Sequence, residues 1–141
     1  MMGDGLCDLK DIDRITVLLI DDNPGFRRIA ERLLAEHYAR EIAVLGATSI
    51  GQDGLRLVDS LHPQIILVGM GLPVSAGLAF VQALRVGGWR MGIVGLGLLA
   101  TTSYEQAVRS AGADAFVPKD DLNTRLLVTL REVMRLRSEL A

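Results

Sequence analysis

The chain has 141 residues, half of them apolar and only 4% aromatic, enough for one ordinary domain and too few for two. Fifteen basic against seventeen acidic side chains leave a net charge of −2, which argues against a nucleic-acid coat or a polybasic membrane binder. A single cysteine, Cys7, excludes an internal disulfide and a cysteine-based metal centre, and suits a chain kept in the cytoplasm.

Met1 to Arg14 carries four aspartates and no apolar run. It reads as an extension over residues 1–13, ahead of one domain at 14–141, and not as a signal peptide. Ile15 to Ile20 is a continuous β-branched run of strand length, the pattern of a sheet covered on both faces. It stops at Asp21-Asp22-Asn23-Pro24, where Asn23 suits a helix cap and Pro24 a first helical turn. Phe26, Ile29, Ala30, Leu33 and Leu34 then recur at helical spacing, with Arg27, Arg28, Glu31 and Arg32 opposite.

The same unit recurs. Ile42 to Leu45 predicts a second strand, followed by a helix carrying Leu55, Val58 and Leu61. Ile65 to Met70 predicts a third, followed by a helix with Leu78, Val81 and Leu84. Gly92 to Leu96 is a glycine-weakened fourth strand. Thr102-Ser103-Tyr104-Glu105 is a capping-box pattern that opens a helix through Ala107, Val108 and Ala111. Ala115 to Val117 is a short fifth strand, and the last helix runs from about Asp121 on Leu126, Leu130, Val133 and Met134. The stretch Ser60 to Leu84 carries no charged side chain, yet His62, Pro63, Gln64, Gly69, Gly71, Pro73, Ser75 and Gly77 interrupt it. Two buried elements explain it better than a membrane span.

Five strands alternating with five helices define an α/β fold, a doubly wound parallel sheet with helices on both faces. The working surface of such a sheet lies beyond the carboxyl ends of its strands. Five segments should meet there: Asp21-Asp22, Ala47-Thr48, Gly69-Met70-Gly71, Gly97-Leu98 and Lys119-Asp120. Two adjacent carboxylates can be a solvated helix start or part of a hard-cation site that needs further oxygen ligands. Thirteen of the fifteen basic residues are arginine, which makes a lysine at the end of the fifth strand a less ordinary choice than an exposed loop residue would require. His37 and His62 read as surface histidines, and no nucleophile–base–orienter set is present, so no enzyme is expected.

The segments LLIDDN with its Pro-started helix, HPQIILVGMGLPVSAGL and SAGADAFVPKD resemble the receiver domain of two-component response regulators, the CheY-like phosphorelay modules. The resemblance runs from about Ile15 to Leu136 and includes Pro63, Pro73, Gly77, Leu78, Ala111-Gly112-Ala113-Asp114, Phe116 and Lys119. It implies the flavodoxin-like strand order 2-1-3-4-5. It also implies that Asp21 and Asp22 are the acidic pair that holds Mg²⁺ in the family, and that Lys119 is the lysine of the fifth strand. The phosphoacceptor aspartate would align with Gly69 and the switch hydroxyl with Gly97. Glycine has no nucleophilic oxygen, so the resemblance implies a degenerate variant, a pseudo-receiver that is not phosphorylated at this position.

An intact set of three carboxylates and one ammonium leaves the pocket at −2, and glycine at 69 leaves −1. A pair of unit charges at ~4 Å is worth about 4 kcal/mol at an effective dielectric near 20. Mg²⁺ binding at Asp21 and Asp22 is therefore expected to be weak or lost, with Lys119 pairing directly with one of them. Phe116, the aromatic switch position, is expected to keep one rotamer. Met70, Leu72 and Val74, with Leu98, Leu99 and Ala100, turn a rim that is usually polar into an apolar one that either meets a partner or folds inward.

The implied partners are proteins: a histidine kinase, an output domain or another receiver. A homodimer through the fourth and fifth helices with the fifth strand, or through the first and fifth helices, is a further expectation. Arg125 to Ala141 holds four arginines against two glutamates, with no helix-turn-helix, so this chain alone is not expected to bind nucleic acid. The rival reading is a nucleotide or dinucleotide-binding domain that uses Gly95-Leu96-Gly97-Leu98-Leu99-Ala100, a match to G-x-G-x-x-A. It sits on the wrong strand, and its helix starts too late to meet a pyrophosphate.

Overall fold

The computed structural model describes residues 14–71, 74–98 and 101–140; the expected extension over 1–13 with Cys7, the rim residues Leu72, Leu99 and Ala100, and Pro73 of the family resemblance lie outside them. The elements alternate as read from the sequence. They are β1 (Ile15–Ile20), α1 (Pro24–His37), β2 (Ile42–Thr48), α2 (Gln52–Leu61), β3 (Ile65–Met70) and α3 (Ser75–Val86). Then follow β4 (Gly92–Gly97), α4 (Thr102–Ala111), β5 (Ala115–Pro118), a 3₁₀ turn (Lys119–Asp121) and α5 (Leu122–Leu140). The five strands form one parallel sheet in the order β2-β1-β3-β4-β5.

Alternation along the central strands produces two cores. Val17, Leu19, Ile65, Leu67, Val94 and Leu96 face α1 and α5, where Ala30, Leu34, Leu126, Leu130 and Val133 cover them. Leu18, Ile20, Ile66, Val68, Met70 and Ile93 face α2, α3 and α4. All six residues of β3 and all six of β4 are buried, as parallel strands covered on both faces must be. The glycines of β4 make room for the helices. A Cβ at Gly95 would stand 2.6 Å from Val108 Cγ1, and one at Gly92 would stand 2.5 Å from Val133 Cγ1.

Local details depart from the periodicity. Ile29 is 67% exposed and Leu55 and Leu61 are 36% and 37% exposed, because α1 rests on the sheet through Ala30 and Leu34, and α2 through Gly54 and Val58. Strand β2 runs three residues beyond its apolar stretch, with an irregularity opposite Val17 and Leu18 that skips Leu45. The cap of α4 is Thr101, whose hydroxyl accepts from the Tyr104 amide at 3.3 Å; Thr102 is the first helical residue, so the helix starts one position earlier than the capping-box reading, with its cap at Thr102, requires. The cap of α1 is Asn23, which accepts from the Phe26 amide, as the sequence predicts.

At the amino-terminal end of the sheet, Asp114 ties three elements together. It accepts from Arg85 at 3.0 Å, from Arg137 and from the Ile93 amide at 2.9 Å. Arg85 also donates to the carbonyls of Trp89, Met91 and Gly112. Gly112 turns there with φ +124°, and a Cβ would meet Arg85 Cγ at 2.6 Å, so both backbone and space require glycine.

Candidate functional site

The carboxyl ends of β1, β3 and β5 open into a cleft of about 730 Å³ that includes Asp21, Asp22, Gly69 and Lys119. The fold thus brings together four of the six residues singled out in the sequence. Gly97 and Phe116 are placed beside it, buried at the end of β4 and within β5.

Asp21 is the only polar or charged residue buried among those described, at 2% exposure. Its Oδ1 accepts from the Asn23 amide at 2.8 Å, an Asx-type bond that fixes the strand-to-helix turn. Its Oδ2 lies 2.8 Å from Lys119 Nζ. That approach is an ion pair without good hydrogen-bond direction, and Oδ2 has no other donor. Lys119 is itself almost buried, and its ammonium stands 4.2 Å from the centre of the Phe26 ring, a cation–π contact. Of the two partners left open by the sequence, Lys119 therefore meets Asp21. Asp22 points elsewhere: it is exposed, and its Oδ1 accepts from the Ile50 amide at 2.8 Å. Among the described residues, no three acidic, histidine or cysteine side chains group closely enough to hold a metal ion.

The two glycines are filled by their neighbours. A Cβ at Gly69 would lie 1.7 Å from Asp21 Oδ2 and 2.3 Å from its Cγ; the carboxylate just after β1 occupies the space of a side chain on β3. A Cβ at Gly97 would lie 2.6 Å from both Phe116 Cε1 and Tyr104 Cε1. Phe116 points inward and packs edge-on against Tyr104, with ring centres 5.3 Å apart. Tyr104 donates its hydroxyl to the Met70 carbonyl at 3.1 Å, and burial raises its pKa.

The apolar rim divides. Met70 is buried under α3, where a Cβ at Gly77 would meet its Sδ at 2.5 Å, while Leu98 is 61% exposed. Val74 is half-buried against the second core. The rival glycine pattern does not form a phosphate loop: Gly95 and Gly97 are strand residues with side chains packed on them, and α4 starts at Thr102. His37 and His62 are exposed.

Three contributions were not legible in the sequence: Phe26 beneath the ammonium, Tyr104 in the space beside Gly97, and the Ile50 amide that holds Asp22. Each comes from another element, and only Tyr104 lay within a motif, where it looked like a helix-start residue.

The strand order, the acidic pair after β1 and the lysine after β5 define a signalling receiver of the CheY-like class. The response regulator receiver domain family matches residues 17–131, and the chain belongs to it. It is 33% identical over 120 residues to the nitrate/nitrite response regulator protein NarL of Escherichia coli (strain K12), covering 83% of this chain and 53% of that protein. The chain thus spans about half the length of this curated relative. Among solved structures it resembles the signal receiver domain of the putative response regulator NarL from Mycobacterium tuberculosis. The TM-score is 0.74 at 20% identity, over 87% of this chain and 98% of that one. The CheY-like receiver domain protein of Methanospirillum hungatei JF-1 aligns with a TM-score of 0.72 at 19% identity, over 91% and 99% of the two chains. No helix of the described residues is long and apolar enough to cross a membrane.

Proposed function

We propose that this receiver works without aspartyl phosphorylation, as a protein-interaction module of a two-component pathway in the cytoplasm. The observation that carries the reading is the occupation of the Gly69 space by the Asp21 carboxylate, held there by Lys119 at 2.8 Å. Phosphoryl transfer needs a side-chain oxygen at the end of β3, and glycine brings none.

The residues present also fit Mg²⁺ poorly. Hard cations take several oxygen ligands. Here one carboxylate is neutralised by an ammonium, a second accepts from the Ile50 amide, and the third position has no side chain. Mg²⁺ affinity is accordingly weak or lost. The inward Phe116 is wedged by Tyr104 where a switch hydroxyl would sit, so the aromatic keeps one rotamer. A phosphorylation-driven population shift requires differential binding energy, and neither end of that coupling is supplied.

In this reading the chain catalyses nothing itself. Its partners are a histidine kinase, an output domain or another receiver, with a second copy of the chain as a further candidate, and nucleic acid is not bound by this chain alone. The test is incubation with a small phosphodonor and Mg²⁺, read by intact mass, together with beryllofluoride followed by amide NMR. Unchanged mass and an unchanged spectrum are expected. A phosphate adduct with acyl-phosphate lability would show that another carboxylate has taken the role, and would end the proposal.

A further inference from the structure

The cleft at the carboxyl ends of the strands encloses about 730 Å³, within the roughly 300–1,000 Å³ typical of small-molecule sites. Its floor is closed electrically, because Asp21 and Lys119 neutralise one another at 2.8 Å. Asp22 and Asp120 remain, both exposed at the lining, and neither has a cationic partner among the described residues. Their two full negative charges outweigh the roughly half-unit of positive charge that the N-terminus of α1 or α3 can bring.

The walls are of a different kind. Ile29, Ile50 and Leu98 all line the cleft, and Ile29 and Leu98 are 67% and 61% exposed. Large aliphatic groups left in water on a concave surface favour an apolar occupant. Among the described residues outside its chain neighbours, none stands within 4 Å of where a Cβ of Gly71 would be.

We propose that this cleft binds a small cationic amphiphile, with an ammonium or guanidinium group between Asp22 and Asp120 and an apolar body against Ile29, Ile50 and Leu98. The inference rests on the reading that phosphate and Mg²⁺ do not occupy the cleft. An anion would face two unpaired carboxylates, and a wholly polar ligand would leave the aliphatic walls without a counterpart. Exposed ion pairs are individually weak, so the charge preference should be about tenfold in affinity, and added salt should shrink it.

The probes are a matched series, 4-phenylbutylammonium, 4-phenylbutanol and 4-phenylbutyrate, titrated into the isotope-labelled chain and followed by amide NMR. The ammonium should shift the amides of Asp22, Ile50, Gly71, Leu98 and Asp120, bind about tenfold more tightly than the alcohol, and exceed the carboxylate further. In the double variant Asp22→Asn/Asp120→Asn the gap between ammonium and alcohol should close while the alcohol still binds; asparagine keeps an oxygen for the Ile50 amide, so the fold is retained. Equal binding of the three probes, shifts confined to surfaces outside the cleft, or no shifts up to the solubility limit would overturn the inference. Repeating the titration with Mg²⁺ and beryllofluoride separates the two readings. Displacement of a bound ammonium would sink phosphorylation independence and leave the charge preference standing, whereas absent probe binding with no phosphate uptake would sink only the ligand inference.

Discussion

Asp21 and Gly69 share one space: the carboxylate that follows β1 stands where a side chain on β3 would begin, with Oδ2 only 1.7 Å from the position of a Cβ. The conflict involves more than a flexible tip, since the Cβ of Asp21 itself would be 2.8 Å away. Any side chain at 69 must displace the acid and so break its pair with Lys119.

Gly69→Ala should therefore destabilise the domain by about 2 kcal/mol, in the range for overpacking a filled site. Gly69→Asp should cost at least as much, because it adds a second carboxylate. The double variant Asp21→Ala/Gly69→Asp offers Lys119 a carboxylate from β3 in place of the one that follows β1. It should be more stable than the sum of the single effects, by a coupling of about 1 kcal/mol or more. Urea denaturation of the four proteins measures the cycle, and strict additivity would contradict the shared-space account.

Lys119→Met leaves the almost fully buried Asp21 carboxylate without its ion-pair partner. Removing one partner of a buried pair typically costs about 3–5 kcal/mol, and the lost contact with the Phe26 ring adds a smaller amount. Chemical denaturation should show a loss in that range, against well under 1 kcal/mol for Arg32→Met, whose pair with Glu36 is on the surface.

Gly97→Thr should fail to create a switch. Its Cβ would meet Phe116 and Tyr104 at 2.6 Å, so a loss of about 2 kcal/mol is expected. Combining it with Tyr104→Ala should recover part of that loss, because one of the two clashing rings is removed. A thermal melt of the single and double variants reads the difference.

Tyr104 gives the fold an alkaline limit. Burial raises its pKa above the usual tyrosine value of about 10, so the folded state favours the neutral phenol that donates to the Met70 carbonyl. Well below pH 10 neither folded nor unfolded Tyr104 is ionised and the contribution is constant. Above it the unfolded chain loses its proton first, binds fewer protons than the folded chain, and stability falls as pH rises. Denaturation midpoints measured upward from pH 9 should decline, and Tyr104→Phe should decline less steeply.

Asp114→Ala leaves Arg85 and Arg137 facing each other with most of their surface covered. Desolvation already lowers the pKa of Arg85; Asp114 acts against this shift and Arg137 adds to it. Loss of the acid should cost about 3 kcal/mol, and Asp114→Asn less, since an amide oxygen can still accept from the Ile93 amide. Urea midpoints of the two variants give the comparison.

The layout of strands and helices was legible because buried parallel strands must be apolar throughout and helices must repeat near 3.6, and both patterns are local. Ile65–Met70 shows this plainly, since its apolar run and its strand coincide. Asp21, Asp22, Gly69 and Lys119 could be assigned to one end of the sheet for the same reason, because each lies within two residues of a strand's carboxyl end. The chemical identity at 69 was also fixed there, as no folding event adds an oxygen to glycine.

Which groups touch was decided only by packing. Two adjacent aspartates are equivalent in sequence, yet Asp21 turns inward to Lys119 while Asp22 turns outward to the Ile50 amide. Ile29 fits the apolar stripe of α1 as well as Ala30 does, but the helix rests on the sheet through Ala30 and Leu34 and leaves Ile29 in solvent. Tyr104 and Phe116 close over Gly97 from different elements. Periodicity assigns a residue to a face; the partner it meets depends on how neighbouring layers settle to fill volume, and that is a property of the whole chain.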